Sequence, residues 1–241
     1  MGARSVIISP YAQGTFEWLA ARAGWPTASC FDKIIAPKTL KASASADRYM
    51  HALLAERMLG MPMESASTDF MERGSALEQE AVNAYEFQRD VTTEPVGFCT
   101  TDDGRIGCSP DRLVHPDGLL EVKCLAPPQH VGALLGRIDD GHRLQCYGQL
   151  LVTERRWVDL LCYHPLMPTA LVRVERDSEV MEALAEAVGH FCERLEQAEA
   201  RLRASGLWVE SVAGVSDRAD FVGMTAAGDA LLRDTVQDAR I

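Results

Sequence analysis

No apolar run in the 241 residues is long enough to cross a bilayer, and the N-terminal MGARSVIISP lacks the extended apolar core of a secretory signal. These absences predict a cytosolic protein with no membrane contact. No CxxC pair occurs among the seven cysteines at 30, 99, 108, 124, 146, 162 and 192, which are odd in number and mostly set in apolar segments. Neither a zinc site nor an iron–sulfur cluster is indicated, and reduced core thiols are expected. Internal repeats and low-complexity tracts are also missing. Positive charge is scarce: 24 Lys and Arg stand against 35 Asp and Glu, a net charge of −11, which at first sight argues against a nucleic-acid partner. The deficit is uneven, however. Residues 1–57 carry seven Lys and Arg against four Asp and Glu, whereas the remainder carries 17 against 31, so a DNA-facing surface can be built from the first part.

The chain is long enough for one large domain, and 47% hydrophobic with 24% charged residues is the composition of a globular protein with a sizeable core. Its most informative stretch is GCSPDRLVHPDGLLEVKC, Gly107 to Cys124. Residues 110–114 read as the end of a turn and a short strand, HPDG at 115–118 as a turn, and LLEVKC at 119–124 as a second strand. The period of two puts Glu121 and Lys123 on one face of that strand, with Leu120 and Val122 on the other. Asp111 lies across the hairpin. Two carboxylates can then share a divalent ion, hard oxygen ligands suiting Mg²⁺ or Mn²⁺, with an ammonium in reach of the same centre. That is the chemistry of phosphodiester hydrolysis. The competing reading is a surface hairpin with an ordinary ion pair, against which stands the apolar setting of Glu121 and Lys123.

Elsewhere the pattern alternates helices and strands. Residues 1–14 read as a polar lead-in and 14–24 as a short helix with Phe16, Trp18 and Leu19 inward. Arg22 lies one turn from Trp18 on the same side and reads, from spacing, as a solvated arginine. Ser29 is a candidate cap for a helix from Cys30 to Ile35, whose starting N–H groups could also hold a phosphate. Helices are expected over 46–59 and 70–87, the second with Leu77, Ala81, Ala84 and Tyr85 inward. Glu78 falls beside that face, four residues after Gly74, but several other helix-surface acids are its equals on spacing. An edge strand interrupted by Pro95 is expected over 91–100. A short helix is expected after the Pro-Pro pair, then another helix over 142–153 with Gln145 and Gln149 side by side. These amides suit a scissile phosphate, a base edge or a metal-bound water, or simply solvent. Strands at 157–163 and 169–175 and a long amphipathic helix over 177–204 complete the core. The expected organisation is one α/β domain with its core at about 14–204 and an extension or tail over 205–241.

Taken together these motifs resemble the phage lambda exonuclease family, the YqaJ-like viral recombinases of the PD-(D/E)xK nuclease superfamily, over approximately Trp18 to Tyr163. WLAARAGWPTAS is similar to the family's W-x-x-x-R-x-G-x-x-T-A-S opening, MERGSALEQEAVNAYE to its G-x-x-x-E helix, SPDRLV to S-P-D-G-L, LLEVKC to L-E-x-K-C, and HRLQCYGQLLVT to the Gln-containing helix that follows. Arg112 stands where the family has Gly, and Tyr147 where the second Gln of Q-x-Q is usual, with Gln149 offset. The resemblance implies a PD-(D/E)xK nuclease domain with a central mixed β-sheet flanked by helices. It implies a Mg²⁺-dependent 5′ to 3′ exonuclease on double-stranded DNA ends, a homotrimeric ring in the bacterial host's cytoplasm, and a phage single-strand annealing protein as partner. Residue by residue, it implies Asp111, Glu121, the Val122 carbonyl and Glu78 at the metal, Lys123 and Gln145 in catalysis, and Arg22, Ser29 and Ser109 on a 5′-terminal phosphate. Two other classes stay open: an endonuclease of the same superfamily, and a non-catalytic DNA-end-binding subunit.

Overall fold

In chain order the elements are β1 (Val6–Ile8), α1 (Phe16–Arg22), a 3-10 helix (Ala28–Lys33), α2 (Ala46–Leu59), α3 (Thr68–Arg89), β2 (Thr93–Pro95) and β3 (Cys99–Thr101). There follow β4 (Gly107–Cys108), β5 (Arg112–Val114), β6 (Gly118–Cys124), α4 (Pro127–Leu134), α5 (Asp140–Thr153), β7 (Trp157–Tyr163), β8 (Ala170–Glu175) and α6 (Ser178–Ala204). The computed structural model describes the backbone of residues 6–62 and 68–209, and the side chains of 6–62 and 77–209. Gly74 and residues 210–241, most of the anticipated extension or tail, lie outside the residues whose side chains or backbone are described.

Two sheets form. The larger, ordered β2-β5-β6-β7-β8, is mixed: β6 and β7 run parallel from Gly118↔Trp157 to Cys124↔Tyr163, and the other neighbours are antiparallel. The smaller is ordered β1-β3-β4. Two short connections cross between the sheets, at 96–98 and at 109–111. The Gln13 side-chain amide ties both crossings, its Nε2 donating to the carbonyls of Val96 at 2.9 Å and Pro110 at 2.7 Å.

The 3.6-residue spacing of α3 presents Ala81, Val82 and Tyr85 to one face of the large sheet, where they pack on Leu120, Val122 and Leu161. On the opposite face Cys146 and Leu150 of α5 pack on Leu119, Val158 and Leu160. Beyond α5 lies a third cluster, built from the 3-10 helix, α2 and α6, with Phe31, Leu53, Leu184 and Phe191 at its centre. The two clusters touching α5 share Leu113, Tyr147 and Leu151 at their margins. Gly148 permits this layering: a Cβ there would stand 2.7 Å from the Phe31 ring and 2.9 Å from Ala28 Cβ. A mid-helix glycine costs about 0.5–1 kcal/mol against alanine, offset by that close approach.

Asp159 of β7 is fully buried, yet every polar demand around it is met: Arg173 donates twice at 2.8 Å and the Tyr85 hydroxyl at 2.8 Å. Burial alone would raise its pKa, but these bonds and charges hold it below the usual carboxylate range. The stabilisation is present above the ordinary carboxylate pKa and is lost as pH falls through the depressed one. Asp159→Asn should lower unfolding free energy by about 2–3 kcal/mol, read by urea denaturation at neutral pH.

Four local expectations are corrected. The lead-in contains strand β1, because Val6–Ile8 pairs with Cys99–Thr101 across the chain. Ser29 is not a helix cap: the segment is a six-residue 3-10 helix capped at Thr27, which makes no side-chain capping bond and is held in extended form by its bridge to Gly107. Residues 91–100 do not form one strand but split between β2 and β3 in different sheets. In α1 only Trp18 is buried, Phe16 and Leu19 being half-buried. All seven cysteines are free and five are buried, as expected of core thiols. No helix among the described residues is long and apolar enough to cross a membrane.

Candidate active site

The site is organised by β6. Alternation along the strand sends Leu120 and Val122 toward α3 and Leu119, Glu121 and Lys123 toward α5. Glu121 is 3% exposed, which excludes the surface-hairpin reading. Its carboxylate receives three donors: Lys123 Nζ and Gln145 Nε2, each 2.7 Å from Oε1, and Gln149 Nε2 on Oε2. The i, i+4 pair of glutamines on α5 therefore faces a carboxylate, not solvent. Burial disfavours the Lys123 ammonium, but Glu121, and more distantly Asp111, outweigh it and the pKa is raised. His142, one turn N-terminal to Cys146 on α5, is pushed the other way by burial and by Lys123.

Asp111 lies just before β5, at the open edge of β6. Its Oδ2 accepts the Val122 N–H at 2.6 Å. A strand residue's N–H and C=O point to the same side, so the Val122 carbonyl opens toward Asp111 as well. Asp111 keeps an accessible edge, but its carboxyl sits in a densely packed surround; burial first, then the charges of Glu121 and Glu78, raise its pKa well above the usual range. Glu78, reaching in from α3, is raised by burial and by Glu121 against the opposing pull of Arg112. Arg112 has a visible job: it donates to the Asp111 carbonyl and to Gln79 Oε1, each at 2.9 Å, bracing the Asp111 turn against α3. Tyr147 turns away into the core, and Gln149, one helical turn after Gln145, reaches Glu121 in its stead.

Three carboxylates thus lie near enough to the part of β6 beyond its pairing with β5 to act on one another, and two of them are held above their ordinary pKa by burial and repulsion. Among the described residues no group of three His, Cys, Asp or Glu side chains is placed to hold a metal ion, and Glu121 is engaged by Lys123 and the glutamines. The donor set nevertheless fits a hard divalent cation. Asp111 Oδ1 accepts no hydrogen bond among the described residues, the Val122 carbonyl faces the same space, and the excess negative charge is what a cation would relieve.

A second group lies along α1 and the 109–111 crossing. The Trp18 indole Nε1 donates to Ser109 Oγ at 3.2 Å, and the Arg22 guanidinium lies 4.3 Å from the centre of the Trp18 ring. Thr27 bridges Gly107, and its hydroxyl is 3.3 Å from that of Ser29, which is exposed. Arg22, Ser29 and Ser109 are therefore brought to one neighbourhood, and Ser109 is two residues from Asp111. Sequence reasoning missed Trp18 as the bridge between Arg22 and Ser109, although the Trp18–Arg22 spacing was its signal. It had no signal for Gln13 or Gln79.

Comparison with known proteins adds the following. A model of the YqaJ-like viral recombinase domain matches residues 17–156. An alkaline exonuclease from Laribacter hongkongensis superposes with a TM-score of 0.70 at 30% identity, covering 80% of this chain and 98% of that one. The same enzyme in complex with dAMP gives the same values. A phage-related exonuclease from Haemophilus somnus shares the fold, with a TM-score of 0.58 at 16% identity over 74% of this chain and 96% of the other. No curated protein matches significantly.

Proposed function

The chain belongs to the YqaJ-like viral recombinase family, whose model spans more than half of it, and from that premise we propose a Mg²⁺-dependent 5′ to 3′ exonuclease. It is a deoxyribonuclease that degrades one strand of linear duplex to 5′-mononucleotides and leaves a 3′ single strand. The observation that carries this reading is Glu121 and Lys123 side by side on the buried face of β6, with Asp111 at the strand's open edge. A non-catalytic DNA-end-binding module has no use for mutually repelling carboxylates enclosed in this way.

Asp111, Glu121, the Val122 carbonyl and Glu78, the last directly or through water, would hold the ion. Bound there, Mg²⁺, or Mn²⁺ in its place, lowers the pKa of water and polarises a phosphoryl oxygen. Lys123 orients the attacking water, assists its deprotonation and places positive charge where the phosphoryl group gains negative charge. Gln145 helps position the same group. Arg22, Ser29 and Ser109 receive the 5′-terminal phosphate, a guanidinium fork with hydroxyls being a fitting receptor for a dianion. The whole chain acts as one nuclease unit with its core at about 14–204. It closes as a homotrimeric ring around duplex and hands the 3′ strand to a phage single-strand annealing protein.

The test is digestion of linear duplex labelled separately at 5′ and 3′ ends, with Mg²⁺ or with EDTA, beside covalently closed circular DNA. Metal-dependent release of 5′-mononucleotides from linear DNA alone is expected. Cutting of the circle would replace the exonuclease with an endonuclease, and no cutting of either substrate would favour an end-binding role. Separately, Arg22→Ala should lower the preference for 5′-phosphate over 5′-hydroxyl ends by about ten- to a hundredfold, the value of one or two charge-assisted hydrogen bonds. An unchanged ratio of initial rates on the two ends would count against this pocket.

A further inference from the structure

The three donors on Glu121 are not equivalent. Gln149, on Oε2, is fully buried, whereas Lys123 and Gln145, which share Oε1, both keep some exposure. Gln149 also cannot withdraw. The next residue back, Gly148, is pressed on Phe31 and Ala28, and the Gln149 carbonyl accepts the Thr153 hydroxyl at 2.7 Å, so its stretch of α5 is fixed. Lys123 and Gln145 face accessible space and can exchange their partner for water or substrate. Gln149 Oε1, meanwhile, is buried with no hydrogen-bond partner. A side chain that leaves one amide oxygen unsatisfied in the interior is held there for what its Nε2 does, because an apolar residue of the same length would fill the space without that penalty.

We propose that Gln149 is a positioning residue that keeps Oε2 of Glu121 permanently, so that Oε1 is the oxygen exchanged between Lys123 and Gln145 on one side and a divalent cation on the other. This rests on the reading of the centre as a metal-dependent nuclease and adds an order of events among the chain's own groups. With a cation held at Oε1, Lys123 and Gln145 would give up that oxygen and be free to donate to the water and phosphate. Arming of Lys123 is thereby tied to metal occupancy, and without the cation Lys123 stays locked on Glu121. The anchored Oε2 keeps the carboxylate from rotating toward the released donors.

The experiment is a Mg²⁺ titration of the full-length wild-type protein without DNA, following the assigned glutamine side-chain amide signals by NMR. Mn²⁺ affinity is measured in parallel by electron paramagnetic resonance for wild type, Gln149→Met and Asp111→Asn. The Gln145 amide signal should shift with Mg²⁺ while that of Gln149 stays in place. Gln149→Met should bind Mn²⁺ about tenfold more weakly, in line with loss of a partner that orients a ligand. Excess Mn²⁺ should restore its cleavage, a rescue that a merely structural defect would not show. Movement of both amide signals together, or wild-type Mn²⁺ affinity in a folded Gln149→Met, overturns the proposal. Should that variant fail to fold, the wild-type titration decides alone. Mn²⁺ affinity unchanged in Asp111→Asn would remove the metal site and both readings with it. Loss in Asp111→Asn without loss in Gln149→Met overturns only the role of Gln149.

Discussion

Asp111→Asn should reduce DNA cleavage about a thousandfold or more and, in EDTA, raise the melting temperature. On the proposed function, the loss follows from removing a ligand charge from a centre whose cation would supply several kcal/mol of transition-state stabilisation. The gain has a separate cause. Asp111 is half-buried beside Glu121 and Glu78, and burial together with their charges raises its pKa, so holding a charge there is unfavourable. Asparagine keeps an oxygen to accept the Val122 N–H while removing the charge. Relief of about 1 kcal/mol would lift the melting temperature by about 2–4 °C in a chain of this size. The same shift sets the pH dependence. A carboxyl whose pKa is higher folded than unfolded contributes stability that is full below the ordinary carboxylate pKa and is lost as pH rises through the raised one. The metal-free wild type should therefore lose stability as pH climbs above the usual carboxylate range, and Asp111→Asn should show less of that decline. Thermal melts across pH with EDTA and with Mg²⁺ check both statements. A variant that melts lower in EDTA would mean that the Asp111 charge is already compensated.

Lys123→Ala should abolish cleavage, by about 10²–10⁴-fold, while leaving duplex binding nearly intact. The side chain lies inside the site, 23% exposed and paired to Glu121 at 2.7 Å, so it contributes little to the surface that DNA would meet. Its loss leaves Glu121 with both glutamines, so the carboxylate stays oriented and the fold should survive. Lys123→Arg should not rescue, because a planar guanidinium cannot take the point position of the ammonium beside Glu121 from which the proposed mechanism has it act. Single-turnover cleavage together with equilibrium binding in Ca²⁺ separates the two effects. Comparable turnover in the alanine variant would remove Lys123 from the mechanism.

What could be read from the sequence follows the range of the interactions involved. Helix α2 falls at Ala46–Leu59 as its apolar spacing predicts, because Tyr49, Met50, Leu53 and Leu54 form a stripe one turn wide. The β5–β6 hairpin was legible for a similar reason, HPDG and period-two alternation being local signals. Pairing of β1 with β3 was not, since it joins residues some 90 positions apart. The break between β2 and β3 was hidden too. A Cβ at Gly97 would stand 2.3 Å from the Ser9 carbonyl oxygen, so that glycine marks where two segments cross, which nothing nearby in the chain announces. Around the site, Asp111, Glu121 and Lys123 were marked by spacing within a single hairpin. The division of the Glu121 oxygens between Gln145 and Gln149 depends on how α5 lies across β6, and the partners of Arg112 depend on α3. Neither relation is written in local pattern.

The 109–111 crossing joins the two groups of proposed contacts. Ser109, a proposed contact of the terminal phosphate, and Asp111, a proposed ligand at the scissile phosphate, are separated only by Pro110, and the Pro110 carbonyl is fixed by Gln13. Two residue steps of extended chain reach at most about 7 Å. On the proposed function the segment would act as a molecular ruler, its reach holding the gripped end and the cut a single nucleotide apart. On this view the length of the product is a property of three residues, and lengthening the crossing by one should spoil the measurement before it spoils the chemistry.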